Sequence, residues 1–290
     1  MNTIRIAQAN HRTSHTLIDS VVVGVAYAAL SALAAAVLGP MSRLAPTWDN
    51  IAVWALTGTL VALALSPLVR HSSWPRSETV LAAWVALALV RSLGLGIEGA
   101  LFKPEAATSA VVGGAAGIVI SLLVAWLAVQ LMLPAGSERA QAALGTRRAW
   151  WDWTWRVAAV GLAYFVFYFV FGAANALLYT LKFYQNNPQY GLSLPPASTI
   201  FLAQLIRGPL FALGALFLAR AVPVSRARLA LWLGLLLFVV GGLGPYVEVT
   251  FRSMPLGFNL ATLAEILLQN FLTGVVAAWL FGAGRPANAK

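Results

Sequence analysis

The sequence predicts an all-α, polytopic transmembrane bundle of about eight helices, and three observations carry that expectation. Of the 290 residues, 60% are hydrophobic and only 10% charged, whereas soluble domains carry about 25% charge. Apolar runs of about 20 residues, the length that crosses a hydrocarbon core, recur along the chain. The basic residues collect between these runs, which reads as membrane topology and not as a nucleic-acid face. A soluble fold this apolar could not cover itself with polar surface. Leu and Ala dominate the runs, and no ten-residue alternation suggests a barrel.

The first sixteen residues are polar, with Arg5, His11, Arg12 and His15, and form a tail. The run at 17–39 is longer than the apolar core of a signal peptide, so it is expected to stay as the first span. The other spans are expected at 50–69, 79–102, 108–134, 153–181, 197–219, 229–248 and 259–282. With the N-terminus inside, 13 Lys and Arg face the cytoplasm, 4 face outward and Arg91 and Arg207 lie within spans. This positive-inside bias puts both termini in the cytoplasm. A bacterial plasma membrane is the expected location.

The two halves resemble each other. At an offset of 150, Gly58, Leu60 and Arg70 meet Gly208, Leu210 and Arg220. Val23-Gly24 and Ala26-Tyr27 recur as Val160-Gly161 and Ala163-Tyr164, and Ala125-Trp126-Leu127 as Ala278-Trp279-Leu280. Gly94-Leu95-Gly96 matches Gly242-Leu243-Gly244 at an offset of 148. The expected organisation is a parallel repeat of four helices, 17–134 and 153–282. A cytoplasmic linker at 135–152 joins the units and a tail follows at 283–290. Arg91, Arg207 and Glu265 face Val239, Thr57 and Val112 across the repeat, so the charges look unduplicated.

Ionisable groups within a span are costly, about 2.5–3.5 kcal/mol for a central Arg on insertion scales, and mark candidate sites. Arg91, Leu95 and Glu98 follow i, i+4, i+7 and share one helix face. Arg91 and Glu98 are two turns apart, so Arg91 needs a partner from another helix. Thr262, Glu265, Gln269 and Thr273 form a stripe on the last span, with Asn270 beside it. Tyr164, Tyr168, Asn175 and Tyr179 form another on the fifth. Gln204 stands one turn from Arg207, and Gly208-Pro209 follows it; the missing backbone donor of Pro209 is expected to kink the helix near the arginine. Glu98 and Glu248 sit nearer the outer boundary, where water reaches them. The candidate site is therefore a polar cavity or buried network, open towards the outside, built from helices three, five, six and eight. Its residues are Arg91, Glu98, Asn175, Gln204, Arg207, Glu265, Gln269 and Asn270.

Two midplane arginines suit a small anionic or zwitterionic solute, or a lipid headgroup, because guanidinium offers paired donors. The expected partners are the lipid bilayer, such a ligand, and a membrane-protein partner, with no nucleic acid. The leading function is transport or binding, and Glu265 could also carry a coupling proton. The alternative is a non-catalytic membrane subunit or assembly factor, with the charges pairing as structural locks. A glutamate-dependent enzyme ranks third. The chain has no cysteine, which excludes disulfides and thiolate chemistry. His11, His15 and His71 all fall in cytoplasmic segments, and no hydrolase motif is present; no cofactor or metal is expected. The outer loop Lys182–Pro196 is rich in aromatics, which suits an interfacial position or a lid. Trp150, Trp151, Trp153 and Trp155 mark an aromatic belt at the opposite face.

Overall fold

The computed structural model describes residues 2–39, 45–102, 107–134, 149–190 and 194–282. Among these residues every regular element is helical, and eight helices are long and apolar enough to cross a membrane. They are α1 (Asn2–Leu38), α2 (Trp48–Arg70), α3 (Arg76–Phe102), α4 (Ala107–Met132), α5 (Trp150–Asn186), α6 (Ala197–Ala221), α7 (Arg226–Val249) and α8 (Leu256–Phe281). The expected spans coincide with these to within five residues. Two ends differ. The α1 helix continues back through the polar tail to Asn2. The α5 helix runs on to Asn186, so the first part of the expected outer loop is helical. There Phe183 packs on Phe258 at the start of α8, ring centroids 4.8 Å apart. The expected linker lies outside the described residues except for its last four.

Polar contacts tie the helices together at the end that carries the described start of α1 and the end of α8. Arg70 pairs with Asp19 at 3.1 Å, Arg76 donates to Gln130 at 2.6 Å, and the Ser73 hydroxyl donates to the Ala221 carbonyl. Arg156 donates to the carbonyl of Leu280. Trp150 and Trp151 are 78% and 61% exposed at this end, as an interfacial belt would be. We call it the terminal end.

The core is built on close backbone approach. Gly24 of α1 lies against Gly58 of α2, and Gly161 of α5 lies against Gly208 and Pro209 of α6. A Cβ at any of these glycines would collide with the facing helix, which is how small residues let membrane helices pack without a hydrophobic driving force. Leu65, Leu68, Phe211, Leu233 and Leu237, each under 2% exposed, fill the space between. Pro209 sits inside an unbroken α6.

Three helices contain π-helical turns: Ala88–Leu93 in α3, Ala176–Thr180 in α5 and Val239–Leu243 in α7. Such a turn adds a residue to the helix and recurs at functional positions. In α3 and α7 the turn ends at a glycine, Gly94 or Gly244, and a glutamate follows four residues later. Glu98 and Glu248 thus follow their π turns at the same spacing.

Candidate functional site

The π turns decide where the charged side chains point. A residue inserted into a helix that advances 100° per residue swings the following segment by about 100°. Arg91 lies in the π turn and Glu98 beyond it, so the two do not share the face that regular α spacing gives them. Arg91 turns toward α1 and α7, and Glu98 turns toward α6. Each finds its counter-charge there.

In the first cluster, Arg91 Nη2 donates to Glu248 Oε2 at 2.6 Å and to the Tyr27 hydroxyl at 2.7 Å. The Tyr27 hydroxyl in turn donates to Glu248 Oε1 at 3.1 Å. The three groups close a ring contributed by α1, α3 and α7. Only 11% of the Arg91 side chain and 10% of the Glu248 side chain are exposed. Glu248 is thus a buried ion-pair partner and not a wet boundary residue. Arg91 Nη1 is buried without a hydrogen-bond partner, as is the Thr57 hydroxyl. Arg91 Nη1 and the Thr57 Cγ2 methyl crowd Gly244, where a Cβ would meet both.

The second cluster repeats the chemistry. Arg207 Nη1 donates to Glu98 Oε2 at 2.8 Å and lies 3.4 Å from Gln204 Oε1. Tyr164 donates to the same Gln204 oxygen at 3.0 Å. The guanidinium stands over the rings of Tyr164 and Phe211, at 5.8 and 5.6 Å, in cation–π range. Arg207 is 3% exposed and Gln204 is fully buried. Each cluster therefore joins one arginine, one tyrosine and one glutamate, and in both the glutamate comes from the opposite half of the chain.

Of the remaining expected site residues, Asn175 Nδ2 donates to Glu265 Oε2 at 2.6 Å. Glu265 has no cation within ion-pair distance among the described residues. Gln269 and Asn270 are buried at 5% and 1% exposure, each with an oxygen lacking a partner. Asn270 lies against Gly242 in the π turn of α7. Counting 1.5 Å per residue from the end opposite the termini, Arg91 is about 16 Å deep, Arg207 about 15 Å and Glu265 about 13 Å.

A half-open cavity of about 280 Å³ adjoins only the first cluster. Tyr27, Arg91 and Glu248 line one part of it, and Ala34, Gly113 and Ile120 are among the residues lining the rest. Arg207, Glu98 and Glu265 do not line it. The cavity lies between α1, α3 and α4, with Trp54 of α2 and Glu248 and Val249 of α7 also on its wall, whereas helices three, five, six and eight share a buried polar network through Arg207–Glu98, Tyr164–Gln204 and Asn175–Glu265. No family model matches this chain, and neither the curated proteins nor the solved structures contain a match. Any functional conclusion rests on the two clusters themselves.

Tyr27 and Glu248 are the participants that sequence reasoning missed. Tyr27 belongs to the Val-Gly-x-Ala-Tyr segment shared by the two halves, and its partner Tyr164 was already on a polar stripe. That pairing was the available signal. Glu248 was visible as a charge but discounted for its place near the helix end.

Proposed function

We propose that the protein is a plasma-membrane transporter or binding protein whose outward-facing intramembrane site takes a small zwitterionic solute or headgroup. The observation that carries this reading is the Arg91–Glu248 ion pair, 2.6 Å long, on the wall of a cavity. An anion alone is a poor fit. It would displace Glu248 from Arg91 and leave a carboxylate uncompensated in a low-dielectric setting, which is strongly unfavourable. A zwitterion replaces both halves of the pair, its anionic group on the guanidinium and its cationic group on the carboxylate. The inside bias of the basic residues supports the outward orientation and cytoplasmic termini.

The reading includes a duplicated four-helix unit. Its supports are the paired glycine contacts at Gly24–Gly58 and Gly161–Gly208, the π turns in α3 and α7, and the crossed Tyr–Arg–Glu clusters. Two ion pairs across the seam between units suit an assembly whose halves separate when a ligand replaces a pair.

Thermal unfolding of the purified protein tests the site. Phosphoethanolamine at 100 times its dissociation constant stabilises by about 2.7 kcal/mol through mass action. The upward shift in Tm is expected to vanish in Arg91→Gln and in Glu248→Gln. Absence of any shift in the wild type rejects the reading. A second reading, a membrane subunit with purely structural ion pairs, draws on the Arg207–Glu98 cluster, which is packed under Tyr164 and Phe211 as a lock between α3 and α6 would be. It predicts lost assembly, not lost ligand response, in Arg207→Gln.

A further inference from the structure

The cavity beside Arg91 is small and asymmetric in chemistry. At about 280 Å³ it falls just below the usual 300–1,000 Å³ range of small-molecule pockets, so it holds a headgroup and the start of a chain. Its charged part is the Tyr27–Arg91–Glu248 ring. From there it is walled by small side chains of α1 and α4, including Ala34, Ala110, Gly113 and Gly117. Gly113 has no atom within 4 Å of the position its Cβ would occupy, so the groove is open where it passes this residue. On either side the helices present apolar surface outward: Leu33 and Val37 of α1 are 62% and 76% exposed, and Val111 and Val119 of α4 are 62% and 61%. In a membrane those positions face acyl chains. A water-soluble ligand held at Arg91 would leave the rest of the groove to be filled by lipid, whereas a ligand carrying its own chain would fill both parts.

We infer that the occupant of this cavity is a lipid-like amphiphile, its zwitterionic head on the Arg91–Glu248 pair and its chain laid along the groove between α1 and α4 past Gly113. The inference rests on the binding-site reading above and adds the ligand class and its path. Head and chain are recognised by different residues. Charge complementarity selects the head, because replacing the ion pair requires both signs. The open groove at Gly113 selects the chain. A leucine at Gly113 or Ala34 would fill the groove without touching the ion pair.

The test is native mass spectrometry of the full chain in detergent, titrated with phosphatidylethanolamine, phosphatidylglycerol or water-soluble phosphoethanolamine. The wild type is expected to retain one phosphatidylethanolamine with at least tenfold preference over phosphatidylglycerol. Gly113→Leu and, independently, Ala34→Leu are expected to lose the lipid at least tenfold while still binding phosphoethanolamine. Unchanged lipid retention in both folded variants overturns the amphiphile inference, as does a wild type that binds phosphoethanolamine but neither lipid; both outcomes leave the zwitterion site standing. A wild type that binds none of the three overturns the inference together with the reading beneath it.

Discussion

Arg91 shows what a buried charge demands of its neighbours. Only 11% of its side chain is exposed, and Glu248 and Tyr27 supply the partners that water would otherwise provide. Removing one partner of a buried pair strands the other, at a cost of about 3–5 kcal/mol. Glu248→Gln is therefore expected to lower unfolding free energy by that order, and the double variant Arg91→Gln/Glu248→Gln to recover part of the loss. A double-mutant cycle in a chemical denaturation assay checks this. Additive losses would mean that the pair is not coupled. That a charge at position 91 needed a partner was readable from sequence, since no acid stood one turn away. Which acid it was could not be read, because a helix end near a boundary looks solvated in one dimension and becomes buried only when α1 and α3 close over it.

The helices themselves were legible because hydrophobic length is imposed by the bilayer and not by tertiary detail. The π turns were not, since Ala88–Leu93 and Val239–Leu243 share no residue pattern that signals an inserted residue. They mattered most for the site: the expected shared face of Arg91 and Glu98 fails because the extra residue lies between them. Deleting Leu89 should restore a regular helix and turn Glu98 about 100° away from Arg207. The expected result is a loss of thermal stability like that of Arg207→Gln, with no further loss when the two changes are combined. Close packing gives a second check at this scale. Gly208→Leu would drive its side chain into the backbone of Gly161, so it should separate α5 from α6. The expected readout is lower Tm and poor extraction as a monodisperse species. Gly113→Leu, which meets open space, should leave both unchanged.

For the whole molecule, the repeat pattern in the sequence pointed to two similar halves, yet it suggested that only the scaffold was shared. In both clusters a tyrosine and an arginine of one half of the chain face a glutamate of the other, with the arginine on α3 in one cluster and on α6 in the second. Sequence alignment could not show this crossing, because contacts between halves are not local in either. The chain contains no cysteine, so its orientation can be mapped with single introduced thiols. Trp48→Cys and Leu194→Cys are expected to react with an impermeant maleimide added to intact cells, and Trp150→Cys and Val224→Cys only after lysis. The reverse pattern would place the cavity on the cytoplasmic side.

Binding at this site requires that the Arg91–Glu248 pair be exchanged for a ligand carrying both charges. Calorimetric titration of the purified protein with phosphoethanolamine, inorganic phosphate and ethanolamine measures this most directly. Phosphoethanolamine should bind at least tenfold more tightly than either charged fragment, and Glu248→Gln should erase that advantage. Phosphate binding as tightly as the zwitterion, with the same affinity in Glu248→Gln, would contradict it.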